Sequence, residues 1–204
     1  MKLLLLLLLI TLVLVSTQAE ARTFSLDIIQ SHGPKEVSRQ EAIGMFKFAQ
    51  ARLAEAGIKI KLRRCSFTGK RNPAVNITNW PNQFYWWAKQ GYSKRLLKNQ
   101  LLYIMLPPFW DEIYWIGGQA YAVCGIRRTL FSFAVGNAEL VTSFGVDRWY
   151  HSAMIMVHEL GHLFGARHID TDTIMNPGAT GLPVSMVTLP WDIKSIQQIQ
   201  RCIG

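Results

Sequence analysis

Long apolar runs are scarce in this 204-residue chain, and the longest lies at its start. Lys2 gives a positive beginning, Leu3 to Val15 is almost uninterrupted apolar sequence, and "AEA" at 19–21 has the small-x-small pattern of a cleavage site. The run is too short for a comfortable membrane span, and no later run is long enough to be one. We therefore expect residues 1–21 to be a cleaved signal peptide on a secreted protein, with an uncleaved anchor as the alternative.

Internal repeats, low-complexity tracts and linkers are absent after this segment. Removal of residues 1–21 leaves 183 residues (204 − 21), which can form one domain with a sizeable core. The sequence thus predicts a single domain over residues 22–204, and we expect it to be a monomer without a membrane span.

Acidic residues are few, with 13 Asp and Glu against 22 Lys and Arg, which gives a formal net charge of +9. The cations form three short clusters: "KIKLRR" (59–64), "GKR" (69–71) and "KRLLK" (94–98). None is long or interleaved with aromatic residues as nucleic-acid binding requires, so we expect no nucleic-acid partner. The clusters fit either acidic glycans and cell surfaces as partners, or an ordinary solvated surface, which is the simpler explanation.

Two further features depend on secretion. In an oxidising compartment the three cysteines predict one disulfide and one leftover thiol, and composition alone does not decide which two of them pair. "NIT" at Asn76 fits the acceptor pattern for N-glycosylation, which matters only in a eukaryotic secretory pathway.

The first predicted elements are a strand, a helix and a second strand. "TFSLDIIQ" (23–30) predicts a strand, and Ser38-x-x-Glu41 is a capping box that opens a helix ending at Gly57. In "IKIKLRR" (58–64) apolar residues alternate with cations, which predicts a strand with one buried face. This order predicts a parallel pair of strands. The apolar helix positions are Ala42, Met45, Phe46, Ala49, Leu53 and Ala56.

The remaining elements complete a mixed α/β domain. "LLYIML" (101–106) is apolar on both faces, as an interior strand would be. "QAYAV" (119–123) and "TLFSFAV" (129–135) predict two more strands. A helix that begins near residues 147–150 carries most of the histidines, and "WDIKSIQQIQRC" predicts a C-terminal helix.

Three of the five histidines lie in "VHELGHLFGARH" (157–168). His158 and His162 project from one helix face, so that two imidazole nitrogens can bind one ion at roughly 2.0–2.1 Å. Glu159 lies beside the open coordination position, where it can hold and deprotonate a water. Gly165 permits a sharp turn with positive φ, after which His168 can fold back as a third ligand. Three protein ligands and one water predict a catalytic site with one Zn²⁺ per chain, since a structural site would be closed.

The specificity of this motif depends on its length. H-E-x-x-H alone occurs by chance in long sequences, and a lone histidine is usually a satisfied core residue. The extended H-E-x-x-H-x-x-G-x-x-H is far more specific, and it disfavours both of those explanations.

"HELGHLFGARH" followed by "DTIMNP" resembles the metzincin zinc proteases over residues 157–177. The resemblance implies that Met175 lies in a tight turn beneath the three ligands. It also implies an α/β (α+β) zincin domain, with a twisted mixed sheet, an antiparallel edge strand, an active-site helix and a C-terminal helix.

Subfamily features are mixed, so the chain resembles a minimal metzincin. Astacins and serralysins have a tyrosine two residues after the methionine, where this chain has Pro177. Matrixins need further histidines for a second zinc, and this chain has only His32 and His151 besides the three in the motif. Adamalysins place an aspartate directly after the third histidine, but Ile169 intervenes here. "GGQAYAVCG" (117–125) nevertheless resembles the adamalysin edge strand, and "LPWDIKSIQQIQ" resembles the matrixin C-terminal helix.

The adamalysin resemblance implies a disulfide between Cys124 and Cys202. Cys65 would then be a free thiol, or would pair with another chain.

The metzincin resemblance implies a secreted zinc endopeptidase acting on proteins or peptides. The substrate would add as an antiparallel strand to the edge strand, with Glu159 as the general base. The P1′ pocket would lie between the histidine helix and residues 177–190. The alternative is a catalytically silent, basic secreted binding protein, although all three ligands and the base are present.

Overall fold

The computed structural model describes residues 23–31, 38–68, 100–106, 118–121, 132–137, 148–176 and 189–203. The predicted signal peptide (1–21), Asn76, Cys124 and most of the proposed pocket segment lie outside these ranges. In chain order the elements are β1 (Thr23–Ser31), α1 (Arg39–Glu55), β2 (Lys59–Thr68), β3 (Gln100–Leu106), β4 (Gly118–Tyr121), β5 (Ser132–Asn137), α2 (Arg148–Leu163) and α3 (Ile193–Ile203).

The strands form one five-stranded sheet in the order β2-β1-β3-β5-β4. β2, β1, β3 and β5 run parallel, whereas β4 pairs antiparallel with β5 at one edge. The interior strand predicted from "LLYIML" is β3, and Leu101 to Met105 are all buried. Both faces of the sheet centre are therefore covered, which gives the α2 helix a rigid support.

The predicted strand–helix–strand unit is confirmed by β1, α1 and β2. The Ser38 hydroxyl accepts a hydrogen bond from the Glu41 amide, and the Glu41 carboxylate accepts one from the Ser38 amide, so the capping box satisfies two helix donors. Gly57 ends α1 with a φ of 82°. A reversal of this kind lets β2 return parallel to β1. The predicted apolar positions of α1 are buried: Ala42, Met45, Phe46, Ala49, Leu53 and Ala56.

The helices α1 and α2 pack against each other and share one hydrophobic core with β1 and β3. Phe164, just beyond α2, contacts Phe24 of β1 edge-to-face at 4.8 Å between ring centroids. Trp149 packs in the same way on Phe48 of α1, at 5.9 Å. The first turn of α2 and the residue that follows its last turn are thus fixed by aromatic contacts to neighbouring elements.

Where β1 pairs with β2, the register shifts between Leu26 and Asp27, and Arg63 is the extra residue. Its guanidinium forms a two-pronged ion pair with the Asp27 carboxylate. Lys59, Lys61 and Arg64 on the same strand are exposed. The first basic cluster therefore lies on the sheet edge opposite β4, and the other two clusters lie outside the described residues.

None of the helices in the described part of the chain combines the length and the apolar character that a bilayer crossing requires.

Candidate metal centre

The helix α2 is buried over its central part, where every residue from Ser152 to Gly161 lies in the interior. His158 and Glu159 are each only 4% exposed, and they are among the few buried polar residues in the described chain. Burial of a polar group is costly unless it has a partner, so these two side chains require one. His162, one turn later, is partly exposed.

The end of α2 is a Schellman motif centred on Gly165. Gly165 has a φ of 89°, its amide donates to the His162 carbonyl at 2.9 Å, and the Ala166 amide donates to the Gly161 carbonyl at 3.1 Å. The predicted turn with positive φ is confirmed. It reverses the chain, so that His168 returns to the face of α2 that carries His158 and His162.

The three histidines converge through their Nε2 atoms. The His158–His168 and His162–His168 separations are both 3.1 Å, and the His158–His162 separation is 3.2 Å. A tetrahedral zinc site with Zn–N bonds of about 2.05 Å places its nitrogens about 3.3 Å apart, so the triad has the size that a metal ion needs. This group could therefore hold a metal ion.

Hydrogen bonds on the other ring nitrogens fix the orientation of two of the three histidine rings. Nδ1 of His158 donates to the Ile174 carbonyl, and Nδ1 of His162 donates to the Ala166 carbonyl, both at 2.7 Å. A carbonyl oxygen can only accept, so each Nδ1 carries the proton of the neutral ring. The two Nε2 atoms therefore face each other with bare lone pairs at 3.2 Å, an arrangement that repels unless a cation lies between them.

The surroundings of His158 and His162 keep both rings neutral. Burial, together with the neighbouring His162, lowers the pKa of His158 to about 3. Burial also lowers the pKa of His162. Metal ions bind the neutral form of imidazole, so neither ring has to lose a proton at neutral pH.

Glu159 is a buried carboxylate with an unsatisfied atom. Its Oε2 has no hydrogen-bond partner among the described residues, and burial raises the pKa of Glu159 to about 8. Tyr103 of the central strand is fully buried nearby, and its pKa is raised by burial and by the charge of Glu159. Burying a charged carboxylate without a partner costs free energy, and a cation or a water molecule could provide that partner.

Met175 lies in a tight turn that follows His168. The Ile169 amide donates to the Met175 carbonyl at 3.1 Å, and the Asn176 amide donates to the Thr173 carbonyl at 3.1 Å. The Met175 side chain is fully buried. It packs closely against α2, since a Cβ added at Gly161 would lie 2.9 Å from its sulfur. The methionine thus lies against the helical turn between His158 and His162.

Two of the three cysteines lie within the described residues, Cys65 on β2 and Cys202 in α3. Cys65 carries a free thiol on β2, as expected if it is the cysteine left over. Burial raises the pKa of this thiol, and Arg39 opposes the shift. Cys202 in α3 is not a free thiol. Because Cys124 lies outside the described residues, the Cys124–Cys202 pairing stays a prediction.

Three groups at the site were not predicted from the sequence. The carbonyls of Ile174 and Ala166 orient the His158 and His162 rings, but every residue has a carbonyl, so no side-chain pattern could identify these two. Trp191 packs against Gly161. Its only signal in the sequence is a large apolar side chain just before the last helix.

No family model and no curated protein sequence matches the chain. Among solved structures, metalloproteinase-II from Bacteroides fragilis is similar at a TM-score of 0.60 and 14% identity, covering 93% of this chain and 55% of that one. Archaemetzincin from Methanopyrus kandleri is similar at a TM-score of 0.54 and 14% identity, covering 91% and 97%. The chain spans about half the length of the Bacteroides chain. At these identities the similarity shows the fold alone, which is similar to the folds of these two proteins.

Proposed function

We propose that this chain is a zinc-dependent endopeptidase of the metzincin clan. The observation that carries the proposal is the pair of Nε2 atoms on His158 and His162, 3.2 Å apart, with both Nδ1 protons already donated to carbonyls. His168 adds a third nitrogen at 3.1 Å from each. Three imidazole donors, with no fourth protein ligand among the described residues, are typical of a catalytic zinc site.

The donor set favours zinc over harder ions. Calcium and magnesium prefer oxygen ligands, whereas imidazole suits zinc. Bound zinc would polarise the substrate carbonyl and acidify a coordinated water. His168 is exposed, so the triad is accessible from solvent on that side.

Glu159 is the proposed general base. Its buried Oε2 can take a proton from the attacking water as the new carbon–oxygen bond forms. The same carboxyl then gives that proton to the amine nitrogen as the carbon–nitrogen bond breaks. A pKa above the usual range suits a group that must both accept and donate a proton near neutral pH.

The edge strand β4 is the proposed substrate-binding strand. Among the described strands it pairs with β5 alone, and an extended peptide could pair with its other side. The P1′ pocket is proposed between α2 and residues 177–190, on the strength of the metzincin resemblance.

Secretion is also proposed, with cleavage after residue 21 and a monomeric mature domain. The apolar run before "AEA" supports it. Amino-terminal sequencing of the protein recovered from culture medium should begin at Arg22, and size-exclusion chromatography with light scattering should give one chain per particle.

The test of the peptidase is hydrolysis of a peptide library by the purified mature chain, before and after treatment with a chelator. Cleavage should stop on chelation and return when one equivalent of zinc is added. If the chain binds zinc but cleaves nothing in the library, the alternative of a silent binding protein is favoured.

A further inference from the structure

The backbone of α2 between two of the proposed ligands is covered by two side chains from outside the helix. A Cβ added at Gly161 would lie 2.9 Å from the Met175 sulfur and 2.9 Å from the Trp191 ring. Real side chains do not approach so closely. Met175 and Trp191 therefore occupy together the space that a side chain at position 161 would fill.

Trp191 is held in place by the end of α1. Its indole Nε1 donates to the Arg52 carbonyl at 2.6 Å, and the ring is only 8% exposed. The Arg52 guanidinium in turn donates to the carbonyl of Leu189. Arg52 is thus hydrogen-bonded to both ends of the segment 189–191, to Leu189 and to Trp191.

The same segment is connected to a proposed metal ligand by two hydrogen bonds. The Ile174 amide donates to the carbonyl of Pro190, the residue before Trp191, at 3.1 Å. The Ile174 carbonyl accepts from Nδ1 of His158 at 2.7 Å. Ile174 therefore connects the 189–191 segment to the ring of His158, and a shift of that segment should change the orientation of the ring.

From these contacts we propose that Trp191 is a positioning residue for the metal site. It fixes the turn around Met175 against Gly161, and it holds the peptide of Ile174 that orients His158. The proposal rests on zinc binding by the triad and makes no use of peptidase activity. The alternative is that Trp191 only packs in the core. Its replacement would then lower the stability of the chain and leave the zinc affinity of the folded chain unchanged.

The experiment compares zinc affinity and a spectroscopic signature in three variants. Loss of a group that orients a metal ligand typically weakens metal binding about 10–100-fold, and we expect that loss for Trp191→Ala. Trp191→Phe keeps an aromatic ring against Met175 and should stay within about threefold of wild type. Phe46→Ala is the matched control, because it removes a ring of similar burial from the same core on α1.

Zinc affinity is measured by competition with a chromophoric chelator, under conditions where circular dichroism shows each variant folded. The visible spectrum of the cobalt-substituted chain reports the ligand geometry. We expect Trp191→Ala to change the spectrum, and Phe46→Ala to keep both the spectrum and the affinity. Wild-type affinity and spectrum in Trp191→Ala, or an equal loss of affinity in Phe46→Ala, would overturn the proposal.

Gly161→Ala provides a second approach if Trp191→Ala does not fold. It retains Trp191 and adds a methyl group at the contact point, so it should displace the ring and weaken zinc binding in the same range. Wild-type zinc affinity in folded Gly161→Ala would then refute the proposal. A wild-type chain that binds no zinc would instead remove the proposed function itself, and the two failures are thus distinguishable.

Discussion

His158 donates its Nδ1 proton to the carbonyl of Ile174, 16 residues further along the chain and 2.7 Å away in space. The hydrogen bond fixes the tautomer that leaves Nε2 free for a metal ion. It also joins α2 to the turn around Met175, so the three histidines come together only when both segments have folded. Metal binding is therefore expected to stabilise residues 148–176 as one unit.

Glu159→Gln should retain zinc and lose peptidase activity. The amide has nearly the same shape and leaves the three histidines untouched, but it cannot take a proton from water. Loss of a general base typically costs about 10²–10⁴-fold in rate, which kcat/KM on a fluorogenic peptide would measure. Lys47→Gln is the control, because Lys47 is exposed on α1 and its replacement should leave the rate unchanged. Cleavage by Glu159→Gln at the wild-type rate would show that the assigned base is wrong.

One zinc per chain is the expected stoichiometry of the mature protein. His168→Ala should reduce zinc affinity by more than the roughly 10–100-fold that follows loss of a residue hydrogen-bonded to a ligand. It removes a ligand outright, yet the exposed position of His168 makes a large loss of stability unexpected. Metal analysis measures the ratio of zinc to chain, and chelator competition measures the zinc affinity. A ratio near two would instead indicate a second, structural zinc.

Local signals in the sequence were sufficient to predict several features. The Ser38–Glu41 capping box and the two helix-ending glycines, Gly57 and Gly165, all occur as expected, because each depends on a few neighbouring residues. The end of one strand was less accurate: "TLFSFAV" predicts a strand that ends at residue 135, whereas β5 continues to Asn137. Strand ends depend on the partner strands, and β5 is paired with β3 up to Asn137.

Long-range contacts explain what the sequence did not reveal about the site. Trp191 reaches Arg52 across 139 positions of the chain, and no periodic pattern encodes such a pair. The metal-ligand motif was recognisable because its residues are close in sequence. Their hydrogen-bond acceptors were not, because they belong to the backbone.

The metal-free chain should show a pH dependence of stability that Glu159 dominates above pH 6.5. Burial raises the pKa of Glu159 from 4.5 to about 8, so its stabilising contribution is complete below pH 4.5 and is lost as the pH rises through 8. Burial lowers the pKa of His158 from 6.5 to about 3, so the folded chain loses stability as the pH falls below 6.5. Between pH 4.5 and 6.5 the two effects oppose each other.

Urea unfolding of the chelated protein at pH 5, 6.5 and 8 tests this expectation. Glu159→Gln should gain free energy of unfolding over wild type as the pH rises, on the order of a few kcal/mol at pH 8. With zinc bound, the gain in free energy of unfolding of Glu159→Gln over wild type should be smaller, because a nearby cation favours the charged carboxylate over the protonated carboxyl. Parallel pH profiles for the two metal-free proteins would contradict the burial of an isolated carboxyl group.

The last prediction concerns the cysteines: we expect Cys124 to pair with Cys202. Cys65 is a free thiol and Cys202 is not, which leaves the resemblance-based pairing open to a direct test by non-reducing peptide mapping. The bond would close a loop of 78 residues (202 − 124), worth about 4 kcal/mol in the chain-entropy model. Because Cys202 lies at the far end of α3, 11 residues after Trp191 (202 − 191), reduction should loosen that end of the helix before it affects zinc binding. A peptide that joins Cys65 to either of the other cysteines would contradict the pairing, and would remove the main support for adamalysin-like features in this chain.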